Sequence, residues 1–155
     1  LNDLFENMPE ILVKKTHPAA KLPSQTHIGD AGFDLTAVSF DFNEKSNYIE
    51  YDLGFQMQIP QGYKAVIVPR SSITNTDWII PNSPCQIDFT YRGNIKVRFK
   101  NLYEKVIPHY TIPPFLEGDR IAQMFIEKVL EPTFTEVANL TPSTRNDGGF
   151  GSTGK

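Results

Sequence analysis

The chain of 155 residues is 39% hydrophobic and 21% charged, with a formal net charge of −3. That is enough apolar mass for one domain with a real core and too little positive charge for broad binding to a nucleic-acid backbone. No apolar run is long enough to span a bilayer, the opening "LNDLFENMPE" is acidic rather than basic and then apolar, and the single Cys85 excludes an internal disulfide or a multi-cysteine zinc site. The expected setting is therefore intracellular and cytoplasmic, with no membrane partner and no direct nucleic-acid partner; nuclear, viral and phage settings stay open.

Twelve prolines and ten glycines, 12 and 10 in all, leave little room for long helices. Short β-rich runs appear in their place: "ILVKK" from Ile11, "VSFDF" from Val38, "NYIEYDLGFQMQI" from Asn47 and "YKAVIV" from Tyr63. After Arg70, "SSITNTDWII" is the one place for a short helix, with Ser71 or Ser72 as its cap. In "CQIDFTYRGNIKVRF", Cys85, Ile87 and Phe89 alternate on one arm and Ile95, Val97 and Phe99 on the other, which predicts a β-hairpin turning at "TYRGN". The runs "IAQMFIEKVL" from Ile121 and "TFTEV" from Thr133 complete the strand pattern, whose spacing is that of a sandwich or barrel.

Polar residues break this pattern at five places. In "DAGFDL", Asp34 sits between apolar neighbours that point the other way; a turn-capping role is an equal alternative. In "PRSS", a strand ends in Arg70, Ser71 and Ser72, a corner suited to an oxyanion because a cation and free N–H groups converge there. Asn82 precedes the hairpin that carries Asp88 and Tyr91; an Asn can read the edge of a pyrimidine and an Asp can deprotonate a water, although a surface hairpin explains the same letters. "GDRIAQM" is a polar turn running into a strand, and the chain closes on "RNDGGFGSTGK". There Gly149, Gly154 and Lys155 match the spacing of a phosphate-binding P-loop, but no helix or hydroxyl follows, so that match is accidental.

Taken in order, "AGFDL", "PRSS", "NSPCQIDFTYRG", "GDRIAQM" and "RNDGGFGSTG" resemble the five motifs of the trimeric deoxyuridine triphosphatase (dUTPase) family. The resemblance implies an all-β, distorted jelly-roll barrel with at most one short helix, over residues 1–144, and a flexible glycine-rich lid over residues 145–155. It also implies a homotrimer whose active sites lie between subunits and are closed by a third subunit's tail. Carried onto this chain, Asp88 matches the residue that activates the water, Tyr91 the ring packed under deoxyribose and Asn82 the reader of uracil. Asp34 matches the carboxylate that holds Mg²⁺ through its water shell, while Arg70, Ser71, Ser72 and Gln123 match phosphate contacts. In the tail, Arg145 matches the residue that reaches the γ-phosphate, Phe150 the one that stacks on the base, and Gly151, Ser152 and Thr153 the segment that wraps the phosphates. Cys85 and Asn146 stand where glycine is usual, Thr90 stands where an acid is usual, and residues 101–117 form a longer connection, expected to be a surface insertion.

The implied activity is Mg²⁺-dependent hydrolysis of dUTP to dUMP and pyrophosphate, which limits uracil in DNA and supplies dUMP for dTMP synthesis. Two alternatives are a dCTP deaminase of the same fold and a nucleotide-binding regulatory protein that resembles a dUTPase. The first would need a different acid at the base, and the second is expected to lack Asp88, Tyr91 or Phe150; all three are present. Deleting residues 145–155 is expected to leave a folded trimer with severely reduced dUTP turnover; normal turnover would make the tail a spacer.

Overall fold

The computed structural model describes residues 8–148. Among the described residues nine strands form two antiparallel sheets, and the one helical turn is a 3-10 segment, Ser71–Asn75. The expected all-β fold is present, as two sheets enclosing one core. The first sheet contains β1 (Leu12–Lys15), β3 (Ser39–Asn43), β4 (Tyr48–Gln58), β6 (Trp78–Ile79) and β8 (Asn94–Asn101). The second runs in the order β2 (Phe33–Thr36), β9 (Arg120–Lys128), β5 (Tyr63–Pro69), β7 (Cys85–Ile87). Alternation in the letters becomes the two faces of each strand: Ile49, Tyr51, Leu53 and Phe55 of β4 meet Ile95, Val97 and Phe99 of β8, and all are essentially buried.

One edge of β4 serves two partners. Residues 48–52 pair with β3 and residues 55–58 with β1. The change of partner falls at Gly54, whose φ of +70° favours glycine. A Cβ there would lie 2.8 Å from the His17 Cβ and 2.9 Å from the Val38 Cγ2. The Asp52 carboxylate accepts the Gly54 N–H at 2.7 Å and the Asn94 amide at 3.1 Å, so the same bulge is tied to β8.

Four sequence expectations need correction. The arms around "TYRGN" do not pair with each other: β7 joins β5 in one sheet and β8 joins β4 in the other. A turn signal reports that the chain reverses, not which sheet each arm enters. "TFTEV" has β propensity but forms no strand, and Leu130, Phe134 and Leu140 beside and within it are exposed. The 3-10 turn begins after Arg70 rather than Ser71 or Ser72, without a side-chain cap. Residues 101–117 are not wholly superficial, because Val106 is buried and Tyr51 Oη both donates to the Phe115 carbonyl and accepts its N–H.

Gly54→Ala is expected to lower stability by about 1–3 kcal/mol from backbone strain alone, with steric crowding added. Gly62→Ala, also at positive φ but with open space around it, supplies the comparison in thermal unfolding. Equal losses in the two variants would remove the steric part of this account.

Candidate active site

Asp34 is 8% exposed and gathers the first cluster. Its place follows from strand register: β2 pairs with β9, setting Asp34 opposite Gln123 and Thr36 opposite Arg120 across a bulge. Thr26 Oγ1 and Arg120 Nη1 both donate to Asp34 Oδ2 at 2.9 Å, and Arg120 Nη1 also donates to Thr26 Oγ1 at 2.8 Å. The other oxygen, Oδ1, lies 3.3 Å from Arg70 Nε and accepts from Gln123 Nε2 at 3.5 Å. Burial pushes this carboxyl up, but the hydrogen bonds from Thr26 and Arg120 and the charge of Arg70 outweigh it and hold the group below its ordinary value.

Arg70 follows the last residue of β5, and Ser71 and Ser72 open the 3-10 turn with both side chains exposed. Its Nε is buried without a hydrogen bond despite the nearby Asp34 charge, and its Nη1 donates only a long 3.4 Å bond to the Arg120 carbonyl. Two arginines against one carboxylate leave this corner with an excess positive charge, suited to an anion. The polar turn before β9 is held by Asp119, which accepts the Leu116 N–H at 2.7 Å.

The second cluster is a pocket of about 190 Å³ where β7 and β8 diverge, lined by Asn82, Cys85, Tyr91, Asn94 and the Glu50, Lys96 and Arg98 side chains. Tyr91 Oη donates to the Asn94 carbonyl at 3.0 Å, closing the turn below it. Burial pushes the Cys85 thiol up, opposed by hydrogen bonding with Asn82 and by the charge of Arg98. Asp88 follows β7 and is exposed.

The tail residue Arg145 is exposed, and its Nε donates to the Gly148 carbonyl at 2.6 Å within a local turn. Asn146 adopts a φ of +44°, the left-handed angle expected of an Asn in place of glycine. Phe150, Gly151, Ser152 and Thr153 lie outside the described residues. The structure thus brings Asp34, Arg70 and Gln123 together, and separately Asn82 and Tyr91, but joins neither group to Arg145 among the described residues. The last pair between β5 and β7 is Ala65 with Ile87, the residue before Asp88, and Ala65 stands five residues before Arg70. At about 3.3 Å per residue, the end of β7 at Ile87 is roughly 16 Å along β5 from Arg70.

A sequence profile of the dUTPase family matches residues 19–154. The chain belongs to the dUTPase family. Relatives named deoxyuridine 5'-triphosphate nucleotidohydrolase include one from Solibacter usitatus, 38% identical over 97% of its length and 94% of this chain. Another, from Hydrogenobaculum, is 37% identical over 98% of its length and 94% of this chain. Among solved structures, a Staphylococcus bacteriophage 80alpha dUTPase with dUPNHPP superposes with a TM-score of 0.75 at 25% identity, covering 94% of this chain and 99% of that one. A dUTPase of phage phi11, described as coordinating a structural Mg(II) ion, superposes with a TM-score of 0.68 at 22% identity over 84% of this chain and 97% of that one.

Sequence reasoning missed Thr26 and Arg120 in this dUTPase chain. An arginine in a polar turn reads as solvated; only the Asp34 to Gln123 register reveals its partner. The donor set also limits how magnesium could be held. Asp34 Oδ2 is already committed to Thr26 and Arg120, and no group of three His, Cys, Asp or Glu gathers among the described residues. A contact through a metal-bound water does fit, because Oδ1 has only long contacts and Mg²⁺ keeps its water shell readily.

Because the folded Asp34 pKa lies below its ordinary value of 3.8, its pairing stabilises the fold above that pH and is lost as pH falls through the folded value. Asp34→Asn is therefore expected to be less stable than the parent at pH 7, with the gap shrinking below about pH 4. Denaturant midpoints at pH 7 and pH 3 test this; a constant gap would contradict it.

Proposed function

We propose that the chain is a dUTP diphosphatase, hydrolysing dUTP to dUMP and pyrophosphate with Mg²⁺ in a homotrimer whose sites are shared between subunits. Beyond family membership, the observation that carries this reading is the roughly 16 Å along β5 between Arg70 and the partner of Ile87, the residue that Asp88 follows. A water-activating group and the phosphate-binding groups must converge on one phosphorus, so Asp88 of one copy works with Arg70 of another.

In this reading Asn82 binds the base edge and the Tyr91 ring packs under deoxyribose, where a ribose 2'-hydroxyl would collide with it. Asp88 orients a water toward the α-phosphorus and takes its proton. Arg70, Ser71, Ser72 and Gln123 bind the phosphates, and Arg120, fixed by Asp34 and Thr26, adds a positive charge behind them. Magnesium, when bound, neutralises charge on the triphosphate, with Asp34 contacting its water shell. Residues 145–155 act as the lid: Arg145 meets the γ-phosphate, Phe150 covers the base, and Gly151, Ser152 and Thr153 wrap the phosphates.

Pyrophosphate release measured side by side is expected to be fast with dUTP and slow with dCTP, dTTP and UTP; ammonia release from dCTP would instead indicate a deaminase. Asp88→Asn and Arg70→Ala are each expected to be inactive alone and to regain activity when unfolded and refolded together, because some mixed sites then carry both native residues. No recovery from verified mixed oligomers would sink the shared site.

A further inference from the structure

We propose that Arg92 is a positioning residue, which holds the turn carrying Asp88 and Tyr91 in the shape the reaction needs. The inference rests on the reading of Asp88 as the group that activates water and of Tyr91 as the ring under the sugar. In an ordinary hairpin the ladder between the two arms fixes the turn. Here β7 ends at Ile87, paired with β5, and β8 begins at Asn94, paired with β4, so residues 88–93 cross from one sheet to the other with no ladder across them. The turn needs fastenings of its own.

Three are present. The Tyr91 N–H donates to the Asp88 carbonyl at 3.1 Å, closing a four-residue turn. Tyr91 Oη donates to the Asn94 carbonyl at 3.0 Å, which folds the ring back over Gly93; a Cβ at that glycine would lie 2.7 Å from the Tyr91 Cζ. Arg92 supplies the third and links the other two. Its Nη1 donates to the Phe89 carbonyl at 2.6 Å and to the Tyr91 carbonyl at 2.9 Å, one hydrogen to each. Phe89 adjoins Asp88, and Tyr91 carries the ring, so a single guanidinium sets the spacing between the carboxylate and the ring.

Nothing acidic claims that guanidinium. Among the described residues Arg92 enters no ion pair, with Asp88 or any other acid, and Thr90, between the two clasped carbonyls, carries no charge. The cation that holds the turn is thereby kept off the carboxylate that the turn presents. Arg92 is exposed, and water competes for its hydrogen bonds, so they add little to overall stability. What they restrict is the shape of the turn, and a displacement of about 1 Å can cost about a hundredfold in rate.

The test compares the full chain with Arg92→Met, which keeps the stem and removes the donors, and with Arg92→Lys, whose ammonium can still donate to both carbonyls. Thermal melts verify folding, with midpoints expected close to the parent's. Met is expected to lower kcat for dUTP about tenfold or more, as Asp88 loses its place, and to narrow the ratio of kcat/KM for dUTP over UTP about tenfold, as the Tyr91 ring loses its own. That ratio does not depend on the folded fraction, so a merely structural loss leaves it unmoved. Lys is expected to recover most of both. A folded Met variant that keeps either the parent's kcat or its ratio overturns the proposal, as does a loss that Lys fails to recover. If the parent itself turns over no dUTP, or Asp88→Asn stays as fast as the parent, the functional reading fails first, and this inference with it.

Discussion

A buried carboxylate with unequal company organises the corner where β2, β5 and β9 meet. Asp34 could not remain ionised at 8% exposure without compensation, and the compensation comes from three separate stretches of chain: the loop at Thr26, the end of β5 at Arg70, and β9 at Arg120 and Gln123. Satisfying one charge thus pins the ends of three strands and a loop to a common point. Because two guanidinium groups answer one carboxylate, the result is not neutral, and the surplus faces the corner where the backbone turns at Ser71. An acidic protein acquires a local excess of positive charge by over-compensating one of its own acids.

The pocket between β7 and β8 rests on a different constraint. Strand β4 must hand its edge from β3 to β1, and the hand-over at Gly54 is held by Asp52, which also grips Asn94. Asn94 in turn begins β8, lines the pocket and offers its carbonyl to Tyr91. The pocket exists because β7 and β8 belong to different sheets and diverge, so its opening is a product of topology rather than of side-chain size.

Most of the fold was legible from period-two alternation, since a strand that buries one face writes that face into every second letter, as in Ile49, Tyr51, Leu53 and Phe55. Asp34 was legible because a charge inside such a run violates it. Arg98, Lys96, Arg120 and Thr26 were not, for they obey the rule: each looks like an ordinary polar residue on an outer face or in a turn, and only register shows what stands opposite. The apparent hairpin misled for a related reason. Local turn chemistry is visible in "TYRGN", but the choice of sheet depends on strands dozens of residues away, β5 for one arm and β4 for the other.

The division of labour within β8 has a consequence for how such a protein can change. Ile95, Val97 and Phe99 carry the core, while Lys96 and Arg98, interleaved with them, carry the wall of the pocket. A mutation at an even position alters the lining of the pocket and leaves the core untouched; one at an odd position does the reverse. Natural variation can therefore reshape the pocket by single steps without first acquiring a reserve of stability, because the strand keeps its two obligations on opposite sides of one backbone.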